Sequence, residues 1–245
     1  MRVGYGRKQG GVNHLVSIFL SKMLVPLSAI RPIRQRIFDI LLFVPLFLVC
    51  LSAVANSDAR LRLMVLGDSL VAGHGLPQGE AFPDILQAGL VDLGYDVEVL
   101  NAGVSGDTTA GGLARLDWSL AEKPDALMIV LGGNDLLRGL DPVATKANLA
   151  AIIDRAISQG IVVMLAGMQA PRNLGADYAE EFDALYTQLG ARHDVVFYPF
   201  FLEGVALVLE FNQHDGMHPN RAGVDEIVRR ILPTVEALLA VASAD

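Results

Sequence analysis

The sequence predicts an α/β protein, a three-layer α/β/α arrangement around a five-stranded parallel sheet. Three observations carry this. From Ala59 onward, short apolar runs alternate with longer amphipathic stretches, the pattern of strands and crossover helices in a parallel sheet covered on both faces. Helix-ending glycines and a helix-starting Asp-Pro pair punctuate that alternation. Five such runs fit within about 190 residues, the size of one domain, with no internal repeat or low-complexity tract between them.

The first strand is expected at Arg62–Leu66. Its apolar run stops abruptly at Gly67-Asp68-Ser69, good turn chemistry, and a helix-compatible stretch follows. That places Ser69 on a turn between a buried strand and a helix start, where serine is also a common helix cap. A helix over Phe82–Leu93 ends before Gly94. The second strand, Asp96–Leu100, leads through a polar loop to a helix over Thr109–Ala121. The third strand, Ala126–Leu131, precedes Gly132-Gly133-Asn134-Asp135. Asp141 caps a helix over Pro142–Gln159, with proline at its first position and Gly160 beyond its end. The fourth strand is Val162–Ala166, followed by a helix over Tyr178–Ala191 with Gly190 at its end, a fifth strand Val195–Tyr198, and a last helix Arg221–Val241.

Residues 1–55 read differently. Arg31, Arg34 and Arg36 precede the apolar stretch Phe38–Leu51, and Ala53-Val54-Ala55 supplies the small-x-small pattern of a cleavage site. This is a secretory signal cut after Ala55; the run is short for a span and Pro45 interrupts it, against a retained anchor. Met23 fits an ordinary start better than Met1. Branched Val49 before Cys50 argues against lipidation at that cysteine. The expected domains are therefore 1–55, extension and signal, and 56–245, a single folded domain, in the periplasm or secreted and with no stable membrane anchor after cleavage. The chain carries a net charge of −8; seven of its 19 basic and one of its 27 acidic residues lie in 1–55, so the remainder holds 12 and 26, a net of −14. Such a surface repels phosphate backbones, which excludes nucleic acid as partner. The only cysteine is also removed, leaving no disulfide, thiol nucleophile or cysteine metal site.

In open parallel sheets, sites lie at the carboxyl ends of the strands. The loops there carry Ser69, Gly106 and Asn134, and the segment before the last helix carries Asp215 and His218. A serine hydroxyl needs a base. Asp215, three residues before His218 with Gly216 between, can fix Nδ1 and leave Nε2 for the serine. The Ser69 and Gly106 amides and the Asn134 side chain are candidate donors to an oxyanion. His214 and His218 are four apart, but Gly216 and Pro219 argue against the helix a metal pair would need, so no metal or cofactor is expected. Each residue alone has a plain reading as turn or cap; their joint placement at strand ends favours nucleophilic catalysis. A dinucleotide fold is excluded because Gln78 stands where Gly73-x-Gly75 would need its third glycine, and no P-loop exists.

Gly67-Asp68-Ser69-Leu70, Gly106, Gly132-Gly133-Asn134-Asp135 and Asp215-x-x-His218 resemble the four motif blocks of the SGNH, or GDSL, hydrolases. The longer strings LGDSLVAGHGL, SGDTTAGGLARL, LGGNDLLRGL and DGMHPNRAG are similar to the branch with bacterial thioesterase I, lysophospholipase and arylesterase. The resemblance runs from about Leu61 to the C-terminus. It implies a flavodoxin-like fold, with Ser69 as nucleophile, Asp215 and His218 completing a triad, and Ser69, Gly106 and Asn134 forming an oxyanion hole. It also implies metal-free hydrolysis of small-molecule acyl esters and thioesters, by a monomer in this reading, with arylesters, acyl-CoA and lysophospholipids as substrate classes. A carbohydrate O-deacetylase is the alternative within the same motifs, and a non-catalytic lipid-binding protein the alternative outside them. Phe200-Phe201-Leu202 and Val205–Leu209 are expected to be core, with the alternative that part of this run lines an acyl groove; the loop Gln169–Gly175 is expected to cover an acyl chain, with Leu174 as its test. His74 and His193 are expected to be surface or structural, Asp68 and Asp107 to order loops.

Overall fold

Strand β1 (Leu61–Gly67) carries Arg62 near its start and from Leu63 on is apolar without alternation and buried, because helices cover both of its faces. It pairs in parallel with β2 (Val97–Gly103) on one side and β3 (Ala126–Val130) on the other. β4 (Val162–Ala166) and β5 (Val196–Tyr198) continue the sheet beyond β3, giving the order β2-β1-β3-β4-β5, parallel throughout. The computed structural model describes residues 60–192 and 195–244. The expected signal, its cleavage after Ala55, the Met23 start, Cys50 and His193 lie outside the described residues. Arg60–Asp245 forms a compact unit by itself.

Helices α2 (Phe82–Asp92) and α8 (Arg221–Ala242) pack on each other over one face of the sheet. Val224, Ile227, Val228, Ile231, Val235, Leu238 and Leu239 make the buried stripe of α8, at the three-and-four spacing that one helix face requires. On the other face lie α3 (Thr109–Ala114), α6 (Pro142–Ile157) and α7 (Ala176–Arg192). The three layers and the five parallel strands are those the sequence predicts. The order 2-1-3-4-5 is the flavodoxin-like one, and it splays a crevice where β1 and β3 end, since successive crossovers leave in opposite directions there.

Several elements differ from expectation. The helix over Thr109–Ala121 is two pieces, α3 and α4 (Leu116–Leu120), broken at Arg115. Arg115 turns its guanidinium inward, donating to the carbonyls of Gly67 (2.9 Å) and Ala102 (2.8 Å) and to Asp107 (2.6 Å). One side chain thus ties the ends of β1 and β2 to the loop that follows β2. Gly190 is not a helix end: it lies inside α7, where a Cβ would meet the Phe197 ring at 2.9 Å. That glycine lets α7 approach β5, whereas Gly94 and Gly160 do take the left-handed conformation that closes a helix. Among the described residues, no helix is long and apolar enough to cross a membrane.

Candidate active site

The turn after β1 is built by Asp68. Its carboxylate accepts the Leu70 amide at 3.0 Å and caps the short helix α1 (Ser69–Ala72), so Asp68, not Ser69, is the cap. Ser69 is the first residue of α1. Helix α1 lies directly on the strand ends because Gly67 and Gly103 carry no side chain there; a Cβ on Gly67 would stand 2.8 Å from that of Val71, and one on Gly103 would overlap Ala72. Asp68 is 2% exposed, and burial pushes its carboxyl up to about 6 against the opposing pull of the Leu70 and Asn134 hydrogen bonds.

The segment before α8 supplies the base. His218 Nε2 stands 2.9 Å from Ser69 Oγ, and His218 Nδ1 stands 2.6 Å from Asp215 Oδ2. The other carboxylate oxygen of Asp215 accepts the Met217 and His218 amides at 2.9 and 3.0 Å, across the left-handed Gly216. The His218 imidazole, then these two amides, hold the Asp215 carboxyl well below the usual carboxylate range. Gln213 joins this loop to the nucleophile's turn: its side-chain amide donates to the carbonyls of His74 (2.7 Å) and Pro219 (2.9 Å).

Two further loops reach the same place. Gly106 takes φ +86°, a conformation glycine adopts freely, and Arg138 donates to its carbonyl at 2.7 Å. Among the described residues, the amides of Ser69 and Gly106 make no hydrogen bond. Helix α5 (Gly133–Leu137) carries Asn134, whose Nδ2 donates to Asp68 Oδ2 at 3.1 Å and to the Asp107 carbonyl at 3.0 Å. Both amide protons of Asn134 are thus engaged, one of them on the buried carboxylate. Neighbouring Asp135 is buried and anchors α5 to α3 through the Thr109 amide (2.8 Å) and hydroxyl (2.5 Å).

The structure therefore brings Ser69, Asp215, His218, Gly106 and Asn134 to one end of the sheet. Ser69, Gly106, Asn134 and His218 line a single cavity of about 600 Å³. Its remaining wall is mostly apolar and bears on three expectations. Phe200–Leu209 divides between the two readings: Phe201 and Val205 are buried in the core, while Phe200, Leu202, Ala206 and Leu207 line the cavity. Of the loop after β4, Gln169, Ala170 and Pro171 form wall, while Leu174 does not. His74 is exposed, as expected, and also lines the cavity with its ring 4.6 Å from that of His218. The sequence signal for it was its place on the same turn as Ser69. Among the described residues, no cluster of three or more His, Cys, Asp or Glu side chains is arranged to hold a metal ion.

Residues 65–225 match the model of the GDSL-like lipase/acylhydrolase family. The chain is 43% identical to Esterase TesA of Pseudomonas aeruginosa over 193 residues, covering 78% of this chain and 96% of that relative. It is 39% identical over 177 residues to the thioesterase 1/protease 1/lysophospholipase L1 of Escherichia coli, covering 72% and 83%. Among solved structures it is similar to AlinE4, an SGNH-hydrolase family esterase, with TM-score 0.63, 42% identity, and coverage of 75% of this chain and 99% of that one.

Proposed function

Because the chain belongs to the GDSL-like lipase/acylhydrolase family and is an ester hydrolase, we propose that Ser69 is its nucleophile, His218 its general base and acid, and Asp215 the group that orients His218. The observation that carries this is the continuous hydrogen-bond line from Asp215 Oδ2 through the imidazole to Ser69 Oγ, at 2.6 and 2.9 Å, on the wall of an apolar cavity.

The reaction runs in two halves. Ser69 Oγ attacks the acyl carbonyl while its proton passes to His218 Nε2, and the imidazolium is stabilised by Asp215. The oxyanion that forms is held by the Ser69 and Gly106 amides and by Asn134, which gives it the proton otherwise directed to Asp68 Oδ2. Each such donor is worth about 2.7–4 kcal/mol of the barrier. The intermediate collapses, the C–O or C–S bond breaks, and His218 returns its proton to the leaving alcohol or thiol. Water, deprotonated by His218, then attacks the acyl-serine and releases the acid. Arg115, bridging the strand ends to Asp107, and Arg138, holding the Gly106 carbonyl, keep the donor loop in register with the nucleophile.

The substrates in this reading are esters and thioesters whose acyl part is apolar: arylesters, acyl-CoA and lysophospholipids. The apolar wall and volume of the cavity support a medium or long acyl chain over the acetyl group of a sugar ester. Residues 1–55 direct export and are removed after Ala55, and 56–245 act as a monomer in the periplasm or outside the cell. A panel of nitrophenyl esters and acyl-CoA thioesters tests the substrate reading. Turnover efficiency should rise from acetyl to octanoyl; a maximum at acetyl would favour a deacetylase and refute the acyl-chain assignment.

A further inference from the structure

The mouth of the cavity is bordered by apolar side chains that lie in water. Leu137, Leu207 and Met217 line the cavity and yet are 59%, 91% and 46% exposed, and Leu209, two residues past Leu207, is 89% exposed. Leu207 also adopts φ +64°, the left-handed region that a leucine rarely enters. Its loop is clamped around it, since the Asn212 side chain donates to the carbonyls of Val205 and Val208, each at 2.8 Å. The surrounding structure thus holds a leucine in a disfavoured backbone conformation in order to present it to solvent. Exposure of an apolar side chain together with backbone strain is the situation in which strain marks a functional element.

We propose that Leu137, Leu207, Leu209 and Met217 form a rim that seats the protein on a zwitterionic lipid surface with the cavity mouth facing it. This rests on the reading of the cavity as an acyl-chain site. An acyl chain leaving a micelle or bilayer for an enclosed site crosses water at a cost for every methylene, unless the mouth lies in the lipid surface itself. A rim continuous with the apolar wall removes that crossing. Charge selects the kind of surface: the chain carries a net −8, and −14 without residues 1–55, so anionic headgroups repel it and the attraction is apolar.

The test uses the exported, purified protein and phosphatidylcholine vesicles. The Ser69→Ala protein should co-float with the vesicles, and less so with phosphatidylglycerol vesicles. In that background Leu207→Gly should lower partitioning about tenfold while leaving the melting temperature equal or higher, because glycine relieves the backbone. In the active protein Leu209→Glu should leave kcat/KM for a water-soluble short-chain ester within about twofold and lower turnover of micellar lysophosphatidylcholine about tenfold. The rim is overturned if the Ser69→Ala protein does not partition, if partitioning survives both leucine substitutions, if phosphatidylglycerol binds better, or if Leu209→Glu lowers both substrates alike. Failure of the protein to hydrolyse any ester would refute the catalytic reading instead, while vesicle partitioning still decides the rim.

Discussion

Replacing Asp215 by asparagine isolates the orientation of His218 from the rest of the site. Asp215 Oδ1 accepts two backbone amides, at 2.9 and 3.0 Å, while Oδ2 accepts the single imidazole Nδ1–H at 2.6 Å. An asparagine has one acceptor oxygen, and two amides outweigh one imidazole, so the oxygen stays with the amides and the NH2 turns to His218. Nδ1 then becomes an acceptor, the ring proton moves to Nε2, and Nε2 points a proton at Ser69 Oγ instead of a lone pair. The loop keeps both backbone bonds, so the fold is retained. The loss of the correct tautomer should lower kcat on a nitrophenyl ester about 10⁴-fold, or about 5.5 kcal/mol, with KM little changed. Because His218 serves as base for Ser69 and then for water, stopped-flow measurement should show acylation and deacylation both slowed. A variant retaining kcat within about tenfold of the parent would refute the role assigned to Asp215.

Asn134→Ala should cost about 10²–10³ in kcat, as the loss of one oxyanion donor does; steady-state kinetics with unchanged KM is the check, and a loss confined to KM would remove Asn134 from the oxyanion hole. Asp68 predicts a pH effect on stability. Burial pushes its folded carboxyl up to about 6, from about 3.9 for an ordinary aspartate, so between those values the native state binds a proton that the unfolded chain does not. Stability therefore rises as pH falls through 6, and relative to Asp68→Asn the parent should gain about 1 kcal/mol between pH 6 and 5. Urea unfolding at the two pH values measures this, and a parent that loses ground to the variant on acidification would contradict the buried-carboxylate account.

How much of this could be read from the sequence depends on the range of the interactions involved. The strands were legible because Leu63–Leu66 and Ala126–Val130 are apolar in unbroken runs, which a sheet covered on both faces requires. The loops carrying Ser69, Gly106, Asn134 and His218 were legible because a parallel sheet puts every strand's carboxyl end on one side. The break at Arg115 was not, since it is made by bonds to Gly67 and Ala102, residues 48 and 13 positions away, with no local pattern to announce them. Gly190 looked like a helix end because its use, close approach to Phe197, is tertiary. That His74 lines the cavity, and which of Phe200–Leu209 do so rather than enter the core, is also tertiary: a lone histidine and an apolar run carry no local mark of either. The commitment of both Asn134 protons, and the coupling of Asn134 to Asp68, likewise emerge only when the ends of β1 and β3 meet.

If Ser69 alone forms the acyl-enzyme, incubation with a fluorophosphonate followed by peptide mapping by mass spectrometry should give a single adduct on the peptide containing Ser69, abolished in Ser69→Ala and slowed in His218→Ala. An adduct on another residue, or a Ser69→Ala protein with full esterase turnover, would contradict it.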